Sequence, residues 1–191
     1  MEHFYKNIYG HFDFEVMYSK MVNESPVDAH FIEVGAFYGK SAAYMAVEII
    51  NSGKNIKFDV VDTWRGSPEH QEGAWDAQVH MIQDTAFDVF QSNLSPVKGH
   101  YTPLKMPSVE AAKLYQDKSL DFVYIDASHE YEFIKEDIIA WLPKIKIGGY
   151  IGGHDYWPDN AMFKGIPIAI KEIIGDDIDL ITSSWFHKVK Q

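Results

Sequence analysis

Phe31-Ile32-Glu33-Val34-Gly35-Ala36-Phe37-Tyr38-Gly39-Lys40-Ser41 decides how the rest of this chain is read. Phe31 to Val34 is a short apolar run interrupted only by Glu33, the pattern of a buried strand. From Ser41 to Ile50 the residues Ala42, Ala43, Met45, Ala46, Ile49 and Ile50 recur at helical spacing and predict a helix with one apolar face. Two glycines, 35 and 39, lie between strand and helix. Without a Cβ the backbone can turn sharply and let a ligand approach it closely. Unpaired N–H groups at the helix start would then face a negative group. A strand, a glycine turn and a helix in this order is a nucleotide-pocket signal, and alone a weak one.

Several readings compete for the turn. A phosphate-binding G-x-x-x-x-G-K-[ST] loop needs four residues between its glycines, whereas Gly35 and Gly39 enclose three. A dinucleotide fingerprint G-x-G-x-x-G would need glycine where Phe37 stands. An S-adenosylmethionine pocket needs an acid at the strand end and a looser Gly-x-x-x-Gly turn, which Glu33, Gly35 and Gly39 supply. An ordinary tight turn without a ligand fits the stretch as well.

Composition narrows the classes. A chain of 191 residues is enough for one domain with a full core. A hydrophobic fraction of 46% is that of a soluble globular protein, and no run approaches the ~18 apolar residues of a membrane span. Met1-Glu2-His3-Phe4-Tyr5-Lys6 lacks the basic and apolar regions of a signal peptide. There is no cysteine, hence no disulfide and no thiolate metal site, which agrees with a cytoplasmic location. The net charge of −11 argues against nucleic acid as a partner and favours a small neutral or cationic substrate.

Residues 1–28 form an N-terminal segment whose apolar positions 14, 17, 18, 21 and 22 predict a helix within residues 11–22, closed by Ser25-Pro26. Packing on the sheet edge, closing over a ligand and meeting a second copy in a homo-oligomer all suit this aromatic leader. The ligand-binding domain is residues 29–191. Lys57 to Asp62 reads as the second strand, with Asp62 at its carboxyl end, where open α/β sheets hold ligands. That carboxylate, 23 residues after Gly39, is placed to accept both hydroxyls of a ribose; capping the next turn is the plainer role. Residues 65–85 look like an inserted loop. Trp64, His70, Trp75 and His80 are candidates there for a substrate wall, or are solvated loop residues. A helix over 87–94 ends at Ser95-Pro96, and Val97 to Tyr101 reads as a third strand. Ser108 suits the N-cap of a helix over 109–115, in a loop that would edge a nucleoside.

Leu120 to Asp126 is the strongest strand pattern, followed by His129 and a helix over 133–142. Tyr150 to Gly153 is a further strand, ending in His154-Asp155. Parallel neighbours would bring Asp126, His129, His154 and Asp155 to one rim. A helix over 166–173 and a closing hairpin or edge strand over 178–189 complete the chain.

Glu33 to Ser41, Val61-Asp62-Thr63-Trp64-Arg65-Gly66-Ser67, Ser119 to Asp126, and Trp141-Leu142-Pro143-Lys144 through Gly149 to Asp155 occur in order over nearly the whole chain. Together they resemble the class I S-adenosylmethionine-dependent methyltransferases, and within them small metal-dependent O-methyltransferases of the methyltransferase domain 24 type. The resemblance implies an α/β, Rossmann-like fold: a seven-stranded, mostly parallel sheet with an antiparallel last strand and helices on both faces. It implies that Glu33, Gly35 and Ser41 hold the methionine portion of the cofactor, that Asp62 holds the ribose and that Met106 to Val109 border adenine. Phe37, Gly39, Thr63, Ser108 and Asp126 complete the cofactor-binding set. In relatives that need Mg²⁺, the ligand positions correspond to Asp126, His154 and Asp155. His154 stands where many relatives have a carboxylate, and an imidazole suits softer divalent metals better. His129 corresponds to the general base, and an imidazole titrating near 6.5 suits neutral pH.

The expected activity is thus metal-assisted O-methylation of a small hydroxylated acceptor, a sugar or similar. A non-catalytic cofactor-binding or assembly protein of the same fold is one alternative. A nucleotide-dependent oxidoreductase is the other, disfavoured by the missing second glycine.

Overall fold

The computed structural model describes the chain except residues 68–69, 74–76 and 161, and describes Ile82 by its backbone alone. Seven strands form one sheet: β1 (His30–Val34), β2 (Lys57–Asp62), β3 (Thr102–Lys105), β4 (Leu120–Ile125), β5 (Ile145–Gly153), β6 (Asp179–Ile181) and β7 (Ser184–Lys188). Their order is β3-β2-β1-β4-β5-β7-β6. β1 to β5 run parallel, and β7 runs antiparallel to both β5 and β6. The wound sheet with an antiparallel last strand is therefore as expected. Strand order reverses between β1 and β4, and such a reversal opens a crevice outside the carboxyl strand ends.

Alternation along the strands builds two apolar layers, because successive side chains point to opposite faces. Phe31, Phe58, Phe122 and Tyr124 face one layer; Ile32, Val34, Val61, Val123 and Ile125 face the other. The first is covered by α1 (Glu15–Glu24), α2 (Lys40–Ser52), α3 (Val79–Ile82) and α4 (Ala86–Asn93), the second by α5 (Ser108–Ala112), α6 (Tyr131–Trp141) and α7 (Gly165–Ile173). α1 lies at Glu15–Glu24 against the expected 11–22, and the apolar stripe of Phe14, just before it, with Met17, Tyr18, Met21 and Val22 is buried in the first layer. The segment before it, residues 9–13, runs across the carboxyl rim of the sheet. Among the described residues no helix is long and apolar enough to cross a membrane.

The third strand is displaced from its expected place. Ser95–Val97 is a single 3-10 turn whose Val97 is buried, and the strand is Thr102–Lys105, containing Pro103. β3 is the sheet edge and pairs only with β2, so the N–H that proline lacks is tolerated there. The apolar character of Val97 serves core packing from a turn. β5 also starts earlier than expected, at Ile145, with a register irregularity opposite Leu120 to Phe122 that absorbs Gly148 and Gly149.

Candidate active site

Two adjoining cavities of about 530 and 560 Å³ open at the carboxyl ends of the central strands. They share Gly35, Ala36, Phe37, His70, Asp126 and Ala127. The first is lined by Asp62, Thr63, Met106 to Val109 and the start of α6, including Asp137. The second is lined by residues 9–13, Lys40, Ser41, His129, His154, Asp155, Trp157 and Phe163.

Gly35 forms the floor between them. Its φ is +88°, and a Cβ there would stand 2.0 Å from the Asp126 carbonyl oxygen. The turn is held on both sides: Gly35 N–H donates to Val61 O at 2.9 Å, and Asp126 N–H donates to Val34 O at 2.7 Å. Gly39, by contrast, lines neither cavity. A Cβ on it would stand 2.2 Å from Leu94 Cδ1, so its glycine serves close packing against α4.

The anion facing the loop is the protein's own. Asp62 Oδ2 accepts the N–H groups of Ala36 at 2.8 Å and Phe37 at 3.0 Å, and Oδ1 accepts Trp64 N–H at 2.7 Å. A carboxylate has about four acceptor positions, so roughly one remains for a ribose hydroxyl, where the sequence suggested two. Phe37, Trp64 and Asp155 all have positive φ (50°, 53° and 58°) although none is glycine. Such strain costs about 1–2 kcal/mol per residue and persists where the surroundings enforce it. At Phe37 they do so through Asp62 on its N–H and Trp64 Nε1–H on its carbonyl, at 3.0 Å.

Glu33 lies beneath the site, 1% exposed. Oε1 accepts the Tyr18 hydroxyl at 3.0 Å, and Oε2 is buried without a partner. Burial lifts its carboxyl to about 8, opposed by the Ser41 and Tyr18 hydroxyls near it, with Asp126 and Asp62 adding repulsion. The orphaned Oε2 is an acceptor of the kind that an ammonium group would complete, and Ser41 of the second cavity is on the same glycine-loop unit. The native state thus holds a proton that the unfolded chain releases near the ordinary 4.5, so this residue's contribution to stability falls as pH rises from 4.5 to 8. Glu33→Gln is expected to gain on the order of 2–4 kcal/mol over wild type at pH 8.5 and little at pH 4. Urea unfolding at both pH values checks it; an equal shift at both would place the cost elsewhere.

Asp126, His154 and Asp155 each offer a ligand atom, all within 4.8 Å of one another. His154 Nδ1 is 3.3 Å from Asp155 Oδ2 and 3.6 Å from Asp126 Oδ1. Its Nε2 is 2.7 Å from Asp13 Oδ1 and 2.8 Å from Ser183 Oγ. Burial alone would lower the His154 imidazole, but bonds to Asp126 and Asp155 prevail and lift it to about 11. Burial would raise Asp155, yet its bonds to His129 and His154 hold it well below the usual carboxylate range. His129 Nε2 lies 3.0 Å from Asp155 Oδ2, and its ring meets Phe163 edge-on at 5.0 Å.

These groups fit a divalent cation that displaces the proton from His154 Nδ1, since a ligating imidazole is neutral. Two carboxylates and Nδ1 of His154 converge, while Asp13 orients the ring from Nε2, the arrangement in which an outer carboxylate fixes a ligating imidazole.

The structure thus brings Gly35, Phe37, Asp62, Thr63, Ser108 and Asp126 to the first cavity, and Ser41, His129, His154 and Asp155 to the second. Ser108 is not an N-cap: it is the first residue of α5, and its Oγ accepts Trp141 Nε1–H at 2.9 Å. Of the expected wall, His70 lines both cavities. Trp64 is fully buried against Phe87 and Phe90, turned inward by its left-handed backbone. His80 lines neither cavity and pairs with Thr85 Oγ1 at 3.0 Å. Trp75 lies outside the described residues. Asp13, Ser183 and Asp137 escape sequence reading, since none sits in a motif or near its partners in the chain.

The methyltransferase domain family matches residues 32–156, from β1 to just past His154-Asp155. Three solved structures are similar in fold. The O-methyltransferase NovP has a TM-score of 0.66 and 16% identity, over 93% of this chain and 79% of that one. The TDP-rhamnose 3'-O-methyltransferase of calicheamicin biosynthesis has 0.60 and 15%, over 91% and 76%. The O-methyltransferase from Bacillus cereus in complex with SAH has 0.60 and 14%, over 95% and 83%. The family match covers most of the chain and both halves of the rim, and the strand order agrees with it: this chain belongs to the methyltransferase domain family.

Proposed function

We propose that the chain is an S-adenosylmethionine-dependent O-methyltransferase that works with a divalent ion on a small hydroxylated acceptor, a sugar or similar. One observation carries this: an acid–imidazole cluster with His129 stands where a nucleoside-sized cavity meets a second cavity, across Gly35 and Asp126. S-adenosylmethionine supplies an electrophilic methyl group, and a divalent ion supplies positive charge that eases deprotonation of a hydroxyl.

The rest falls to this chain's residues. Asp62 and Met106 to Val109 hold the nucleoside, and Ser41 with Glu33 holds the amino-acid portion. Asp126, Asp155 and His154 hold the ion, with Asp13 orienting His154. His129 Nε2 stands 3.0 Å from Asp155 Oδ2, which orients the ring, and the neutral imidazole is the proton acceptor. Tyr9, Trp157 and Phe163 give the second cavity aromatic walls against which an acceptor ring can be aligned for in-line attack. The acidic charge balance favours a small acceptor over nucleic acid.

The test is methyl transfer from labelled S-adenosylmethionine over a panel of sugars, polyols and catechols. Exhaustive chelation is expected to lower the rate by roughly 10²-fold or more, with S-adenosylmethionine affinity within about two-fold of the untreated protein and Mn²⁺ restoring the rate. A rate indifferent to chelator removes Asp126, His154 and Asp155 as ligands. No transfer to any acceptor, with the cofactor bound, would favour a binding protein.

A further inference from the structure

We infer that Asp137 reads the base of the bound nucleoside. Its carboxylate accepts the exocyclic amino group of adenine and makes the first cavity selective for adenine over its 6-oxo counterpart. The inference rests on the proposed use of S-adenosylmethionine in that cavity.

Asp137 sits on the second turn of α6, is only 6% exposed, and lines the first cavity beside Met106, Ser108 and Val109. Ser108 stands beside it on the same wall. Trp141 Nε1–H donates to Ser108 Oγ at 2.9 Å, and Ser108 opposes the effect of burial on Asp137. A hydroxyl has one hydrogen, and with Oγ already accepting from the indole that hydrogen is the one neutral donor Ser108 has to offer the carboxylate. No cation among the described residues assists: burial pushes the Asp137 carboxyl up to about 6, Ser108 opposes this, and Glu136 adds repulsion. A buried carboxylate with one neutral donor is a costly group until a second donor arrives.

The ligand must bring that donor. Met106 and Val109, on the same wall, have no polar N or O atom in their side chains to offer a base edge. Glu110 is exposed and paired with Lys113 Nζ at 2.6 Å. The exocyclic amine of adenine has two N–H bonds, one of which Asp137 can accept. A 6-oxo base places carbonyl lone pairs there instead, so two acceptors would face each other in a dry site. A site built around a hydrogen bond rejects an analogue lacking the donor far more strongly than a purely apolar site does.

The experiment titrates the full chain with S-adenosylhomocysteine and with S-inosylhomocysteine, its 6-oxo analogue, for wild type and Asp137→Asn. Wild type is expected to prefer the adenine compound by roughly ten-fold or more. In Asp137→Asn the amide can turn its NH₂ to a carbonyl or its oxygen to an amine, so the ratio is expected to narrow to within about three-fold, chiefly by tighter binding of the inosine compound. A merely structural Asp137 would weaken both ligands alike and leave the ratio unmoved. Equal affinities in wild type, or a variant that keeps the wild-type ratio, overturn the inference while the cofactor reading stands. A folded wild type that binds neither compound overturns both. Should that variant not fold, Asp137→Ser is titrated in its place, with the same narrowing expected and an unmoved ratio overturning the inference.

Discussion

Turnover of His129→Ala is expected to fall by about 10²–10⁴-fold, the usual contribution of a positioned general base, with S-adenosylmethionine affinity within about two-fold of wild type. The split follows from where the ring stands. His129 lines the second cavity and not the first, so truncating it leaves the nucleoside contacts alone. It also leaves Asp155 paired, because His154 Nδ1 remains 3.3 Å from the same oxygen. The fold should therefore survive, and the loss should appear in kcat. Steady-state methyl transfer and calorimetric titration on one preparation separate the cases. A variant with full rate excludes His129 as the base; one that loses cofactor affinity in proportion to rate makes it a structural residue.

Gly35→Ala is expected to cost roughly 2–5 kcal/mol of stability and to abolish cofactor binding, from a left-handed penalty of about 1–2 and an overpacking penalty of about 1–3 kcal/mol. The added methyl would lie 2.0 Å from Asp126 O, 2.5 Å from Asp126 C and 2.8 Å from Ala127 Cα. All three are backbone atoms, and the β1–β2 and β1–β4 bonds flanking the turn keep them from moving apart. Any relief would push Asp126 out of the floor that both cavities share. Gly175→Ala is the control: its φ is +87°, almost the same, but nothing lies within 4 Å of the new Cβ. It should cost only the backbone term, about 1–2 kcal/mol. Equal urea midpoints for the two variants would show that the clash is relieved and that Gly35 matters for its torsion alone.

His154 shows how a departure from the expected ligand pattern is accommodated. An imidazole in place of a carboxylate would leave a buried nitrogen needing a partner, and Asp13 and Ser183 supply it from opposite ends of the chain. The N-terminal segment is thereby joined to the site, and Lys40 Nζ holds it again at Gly10 O, 2.7 Å away.

The elements and the rim they share are legible in residue order. The alternation of Phe31 with Ile32 and of Phe122 with Val123, the helical spacing after Gly39, and the acids at the ends of β2, β4 and β5 are local, periodic features, and periodicity follows from backbone geometry alone. The one misplaced element was local as well: Val97 to Tyr101 has the look of a strand where Val97 packs from a turn, and the strand proper, Thr102–Lys105, carries a proline that its edge position allows. Which polar groups meet is a matter of three-dimensional packing. It set Asp13 against His154 across 141 residues and against Ser183 across 170, gave Asp62 to the N–H groups of its own glycine loop, turned Trp64 inward, and placed Ser108 and Asp137 together on the wall of the first cavity. Such pairings depend on distance through space and on which donors water can no longer reach, and neither is written in the spacing of residues along a chain.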